Sequence, residues 1–301
     1  MRWKDRRRSK NIEDRRGAGG MGGIFGGGVR GGRRTRGKRG MGGGAIIIMA
    51  IIALIFGKDL GGVFNLLLGG GQVMQQPDSS SYQTQQGNRA SSGQDEVAEF
   101  VKVILAETED TWGQIFSQMG QRYIPPKLVL YSGAVRSACG TSSSASGPFY
   151  CPGDRKIYID LSFLQEMQRM GAQGDFAFAY VIAHEVGHHV QTLVGLSDQV
   201  RRSQRGASKA QANAIQVKME LQADCLAGVW ANHTENRNAI LEKGDIQEGM
   251  NAAAAVGDDR ISRGTLSRES YTHGSSKERM QWFQQGLQAG DVGSCNTFSG
   301  F

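Results

Sequence analysis

Residues 176–194 read FAFAYVIAHEVGHHVQTLV, and the rest of the chain is best understood outward from this stretch. Phe176, Phe178, Tyr180, Val181 and Ile182, then Val190, Leu193 and Val194, recur at helical spacing, and Gly195 supplies a stop. On such a helix His184 and His188 lie on one face, one turn apart. Two imidazoles so placed can reach a single metal ion at ~2.0–2.1 Å. Glu185, offset by one position, can lean over that ion towards a bound water, take its proton and later give it to a leaving amine. The plainer alternative is a pair of core or surface histidines.

Two histidines do not complete a catalytic zinc site. His189 is adjacent to His188 but points about 100° away around a helix, and His233 belongs to no pairing motif. The better third ligand is Glu220, in Glu220-Leu221-Gln222-Ala223-Asp224 on a second long helical pattern. Glu220 and Asp224 share a face with Met219, Leu221, Ala223, Leu226, Ala227 and Trp230. Two acids beside an apolar surface require partners. A metal for Glu220 and an imidazole N–H for Asp224 would satisfy both, the second fixing a histidine's tautomer. Two solvated acids are the bland alternative.

Around this pair of helices the periodicity predicts an amphipathic helix over 95–119, ended by Pro125-Pro126. Short strands follow at 127–131 and 156–161, around a Ser/Gly-rich loop at 137–147. Further helices are expected at 174–196, 207–234, 245–256 and 275–289. Helices with a few strands that do not alternate with them indicate an α+β fold.

The first 40 residues differ in kind. They hold 14 Lys or Arg and three acids, a local +11 in a chain of net +7, which leaves the remaining 261 residues at −4. The basic balance therefore belongs to a tail, and a nucleic-acid-binding domain, which needs a basic face on folded structure, is disfavoured. Residues 17–44 are Gly-rich and read as disordered. Ala45–Phe56 (AIIIMAIIALIF) is uninterrupted apolar sequence, and with its Gly-rich flanks 41–57 reaches the lower limit for a membrane span. The Lys/Arg excess before it predicts a single-pass anchor with the N-terminus in the cytoplasm and everything beyond residue 60 outside. Four segments are expected: a basic Gly/Arg-rich cytoplasmic tail (1–40), a transmembrane anchor and flank (41–68), a flexible Gln/Ser-rich linker (69–94) and a catalytic domain (95–301).

The HEVGHH and ELQAD blocks, with Gly147-Pro-Phe-Tyr-Cys151-Pro and Lys156-Ile-Tyr-Ile-Asp160, resemble those of the neutral zinc metallopeptidases, a bacterial family of HExxH type. The resemblance extends to the layout of charged N-terminus, span, linker and body. It implies a zincin-like domain with an active-site helix under a small sheet, and zinc bound by His184, His188 and Glu220. Tyr271-Thr-His273-Gly274 is similar to a late block of the membrane-associated zinc peptidases of the heat-shock and prenyl-protease class, which has Pro where Gly274 stands. His273 or Tyr271 is thereby a candidate to hydrogen-bond the tetrahedral oxyanion.

A body outside the cytoplasm would meet an oxidising environment. Cys139 and Cys151 bracket a short loop and suit a bridge, leaving Cys225 with Cys295, although four cysteines allow three connectivities. The reading that follows is a membrane-anchored zinc-dependent peptidase of the inner membrane with a periplasmic catalytic domain. Its expected partners are a peptide or protein substrate and the lipid bilayer, with no nucleic acid. The rival is a non-catalytic zinc-containing envelope binding or scaffold protein, for which the base Glu185 would be superfluous.

Overall fold

The computed structural model describes residues 1–18 and 83–298. Its sheet has four strands, β1 (Ile12–Asp14), β2 (Lys127–Tyr131), β5 (Phe149–Cys151) and β6 (Lys156–Asp160). Their order is β1-β2-β6-β5; β1, β2 and β6 run parallel and β5 antiparallel to β6. A hairpin of β3 (Ala134–Ser137) and β4 (Gly140–Ser143) replaces the loop expected at 137–147. The helices are α1 (Gln83–Gln118), α2 (Phe163–Arg169), α3 (Asp175–Leu193), α4 (Leu196–Gln204), α5 (Lys209–Asn238), α6 (Asp245–Ala255), α7 (Asp258–Ile261) and α8 (Ser276–Ala289). The fold is thus mixed α and β, mostly helical, with a small sheet.

Strand alternation sorts the core. Leu128, Leu130, Ile157 and Ile159 point to the helix layer and join Phe176, Phe178 and Trp230, whereas Val129, Tyr131 and Tyr158 point to the hairpin side with Val135 and Cys151. Both faces of β2 and β6 are covered, as parallel strands require. A disulfide between Cys139 and Cys151 pins the hairpin to β5, and a second joins Cys225 of α5 to Cys295 near the C-terminus.

Glycine sets the helix spacing. A Cβ at Gly228 would lie 2.2 Å from the Phe283 carbonyl oxygen, and one at Gly286 would lie 1.9 Å from that of Cys225, so α5 and α8 touch backbone to backbone. Ser208 and Ser275 open these two helices with capping boxes closed by Gln211 and Glu278.

Two expected boundaries are corrected. Residues 1–16 are not a separate tail: Trp3 packs edge-on against Phe100 (5.3 Å between ring centroids), and β1 pairs with β2 from Ile12↔Leu128 to Asp14↔Leu130. Three residues in a polar run carry no strand periodicity, which hid β1. The helix expected from 95 starts at Gln83, so 83–94 is helical rather than linker. The apolar run 45–56, the anchor 41–68 and the Gly/Arg-rich stretch 19–40 lie outside the described residues. Among the described residues no helix is long and apolar enough to cross a membrane.

Candidate metal centre

The stretch at 176–194 forms α3, buried along most of its length. His184 and His188 project from one face, their rings 4.7 Å apart and nearly perpendicular. Facing them, α5 delivers Glu220. Its Oε2 lies 3.1 Å from His184 Nε2 and 3.4 Å from His188 Nε2. The one glycine inside the HEVGH motif makes this approach available: a Cβ at Gly187 would sit 3.1 Å from the Ala223 carbonyl oxygen and 3.2 Å from its Cα. An alanine there would require the Ala223 backbone of α5 to give by a few tenths of an ångström, and a bulkier side chain would require more. His184, His188 and Glu220 each offer one donor atom, and these atoms fall within 4.8 Å of one another.

Each imidazole is oriented from behind. His184 Nδ1–H donates to Asp224 Oδ1 (2.8 Å), and His188 Nδ1–H to Gln191 Oε1 (2.9 Å), leaving both Nε2 lone pairs facing Glu220. Gln191 is itself held, its amide donating to the Met219 carbonyl (2.8 Å) and to Gln222 (3.0 Å). Asp224, fully buried, also accepts from the Tyr180 hydroxyl and from Arg279 Nε (2.9 Å) and Nη2 (2.8 Å). Arg279, on α8, is 2% exposed. Asp224, expected beside an imidazole, lies against that of His184. Gln191, Tyr180 and Arg279 were not anticipated, although Gln191 stands three positions from His188, which it contacts, and Tyr180 four from His184, whose partner Asp224 it contacts.

The electrostatics ask for positive charge at this point. Burial by itself opposes charge on all four groups. It is outweighed for His184 by the Asp224 carboxylate and hydrogen bonds to Asp224 and Glu220, which raise its pKa to about 9. Glu220 moves His188 upward. In return, His188 and His184 hold Glu220 well below the usual carboxylate range, and Arg279 and His184 hold Asp224 below it. Two imidazole nitrogens aimed at one carboxylate oxygen call for a cation there, and two nitrogens with one oxygen is a donor set that suits zinc. Glu185, 8% exposed, takes no hydrogen bond from any described residue, so its carboxylate is available to a water.

His273 stands on the rim, 39% exposed, its Nδ1 3.2 Å from Asp258 Oδ1 and close enough to Glu220 for their charges to interact. Asp258 also accepts the backbone N–H groups of Thr272, His273 and Gly274 (2.7, 2.6 and 3.0 Å), which fixes this turn. Gly274 has φ +86°, a conformation closed to proline and its locked φ, which accounts for the departure from the Thr-His-Pro-Ser pattern. Tyr271 turns its ring to the Arg268 guanidinium (5.3 Å), and its hydroxyl bonds to none of His184, His188 and Glu220. His189 is buried, with Nε2–H donating to the Ile124 carbonyl (2.7 Å); burial lowers its pKa to about 4, so it stays neutral as a core strut. His233 donates to the Gly290 carbonyl.

Comparison with known proteins agrees with this centre. A family model described as "Putative neutral zinc metallopeptidase" matches residues 1–298. The uncharacterized protein YpfJ of Escherichia coli K12 is 48% identical over 302 residues, 99% of each chain. The uncharacterized protein Rv2575 of Mycobacterium tuberculosis H37Rv is 38% identical over 264 residues, 82% of this chain and 85% of that protein. No solved structure matches.

Proposed function

This chain belongs to the neutral zinc metallopeptidase family, and from that premise we propose that it hydrolyses peptide bonds in a zinc-dependent reaction. The observation that carries the proposal is the convergence of His184 Nε2, His188 Nε2 and Glu220 Oε2, with the unengaged carboxylate of Glu185 one residue from the first ligand. His184, His188 and Glu220 would hold the metal. Zinc, when bound, supplies a Lewis acid that polarises the scissile carbonyl and acidifies water. Glu185 takes the proton of the attacking water and passes it to the departing amine. Asp224 and Gln191 keep the two imidazoles in the tautomer that presents Nε2. His273, held by Asp258 at the rim, is better placed than Tyr271 to donate to the developing oxyanion.

The substrate on this reading is a peptide or protein, and the apolar run 45–56 gives the enzyme contact with a lipid bilayer. We place the catalytic body outside the cytoplasm. Two disulfides support that location, since such bonds persist in oxidising compartments.

The test is metal content beside peptide-library cleavage. The unaltered protein should carry one zinc and lose activity to a chelator. Glu220→Ala should lower zinc content. Glu185→Gln should keep zinc and fold yet reduce turnover by at least ~10²–10⁴. Wild-type turnover in Glu185→Gln would refute the mechanism. A zinc-loaded protein that cleaves nothing would favour an envelope binding protein instead.

A further inference from the structure

The expected topology puts residues 1–40 on one side of a membrane and the catalytic body on the other. The first 16 residues are nevertheless built into that body. At the backbone level, β1 lies beside β2 in parallel register. The flanks of the pair continue it: Leu128 N–H donates to the Asn11 carbonyl (2.8 Å), and Arg15 N–H donates to the Leu130 carbonyl (2.7 Å). At the side-chain level, Trp3 and Ile12 pack against the main hydrophobic core, and Ser9 is buried.

Charge tells the same story. Lys4 pairs with Glu96, Arg6 with Glu107, Arg7 with Glu109 and Asp110, Arg8 with Glu99, and Arg16 with Asp95. All six acids are on α1. In the other direction, Glu13 of the arm takes Lys156 of β6 at 2.7 Å. Five of the eight basic residues in 1–16 are therefore paired with acids of α1, whereas the six between 30 and 39 lie outside the described residues. Those five are among the 14 basic residues that argued for a cytoplasmic N-terminus, and their pairing with α1 gives them a different reason to be there.

Neighbouring strands are ~4.8 Å apart, whereas the hydrocarbon core of a bilayer is ~30 Å thick. A strand cannot be paired with β2 and lie across a membrane from it. We propose that residues 1–16 are an integral arm of the catalytic body and share its compartment, so the apolar sequence between arm and body does not carry the chain across a bilayer an odd number of times. The inference stands on the arm's contacts and is independent of whether the metal centre cleaves peptides.

The full-length chain, expressed in a Gram-negative host, tests it through two single substitutions at exposed positions with no side-chain partner among the described residues: Lys10→Cys on the arm and Arg202→Cys on α4. Each is treated with a membrane-impermeant maleimide in intact spheroplasts and again after permeabilisation, against the unsubstituted chain as background. Zinc content confirms that each variant is folded. The expected result is the same mass shift at both positions in intact spheroplasts. If neither reacts until permeabilisation, the shared compartment stands and the extracytoplasmic placement of the body fails. If one position reacts in intact spheroplasts and the other only after permeabilisation, the proposal is overturned and a single crossing restored.

Discussion

Replacing Arg279 with methionine separates a structural bystander from the group that keeps the metal centre in order. Methionine fills much of the same volume but returns neither of the hydrogen bonds that Arg279 makes to Asp224, at 2.9 and 2.8 Å. Asp224 would keep only His184 and Tyr180 as partners while remaining fully buried. Removing one member of a buried ion pair costs about 3–5 kcal/mol. The two surviving donors argue for the lower end, about 3 kcal/mol, a large fraction of the ~5–15 kcal/mol that stabilises most domains. Zinc affinity should also fall, by about 10–100-fold, because Asp224 sets the orientation of His184. Urea unfolding of the zinc-free protein measures the first effect, and competition with a chelating dye the second. The double variant Asp224→Asn, Arg279→Met removes both charges and should recover about 1–3 kcal/mol relative to additivity. A cost below about 1 kcal/mol for Arg279→Met, or strict additivity in the double variant, would refute the account of Arg279 as the group that holds Asp224 ionised.

Acid should loosen the N-terminal arm. Lys156 and Arg15 lower the pKa of Glu13 from 4.5 to about 2, so the unfolded state binds the proton more readily; the stabilisation is complete above about pH 4.5 and is lost as pH falls towards 2. Because Glu13 is partly exposed (26%), screening should limit the effect to ~1 kcal/mol. Hydrogen exchange at residues 12–14 between pH 5 and 3 reads it, and a Glu13→Gln variant that showed the same acid response would remove Glu13 as its source. The two disulfides should differ in weight. Loop closure over a separation of 70 residues (Cys225–Cys295) is worth ~4 kcal/mol, and over 12 (Cys139–Cys151) ~3 kcal/mol. Thermal unfolding of the paired Cys→Ser variants should rank them in that order, with zinc affinity falling only for the first, because Cys225 adjoins Asp224. A larger loss at Cys139–Cys151 would contradict the ranking.

The long helices and the residues that converge at the candidate metal centre were legible because their signals are local. His184 and His188 advertise a shared face through spacing alone, and so do Glu220 and Asp224. Strands β2 and β6 were visible as short apolar runs. The β3–β4 hairpin was not: its strands are largely Ser, Gly and Thr, with Val135 the one apolar residue that is buried. Arg279 was invisible for another reason. Its role depends on α8 meeting α5 at Gly228 and Gly286, a convergence that no spacing within either helix reveals. The arm combined both difficulties, since a three-residue strand in a charged run is silent by itself and its partners are distant in sequence.

That distance has a consequence for how the molecule is assembled. On a ribosome β1 is made before any of the sheet it belongs to, and Ile12 must wait until Leu128 has emerged and β2 has found β6. Pairing over such a span pays its loop-closure entropy before any contact rewards it, which makes it slow. The arm is therefore expected to dock late, onto a body already formed, and until then β2 presents an open edge on which a second chain could pair. Dilute refolding should favour the native fold, and crowding of nascent chains should favour aggregates joined through that edge.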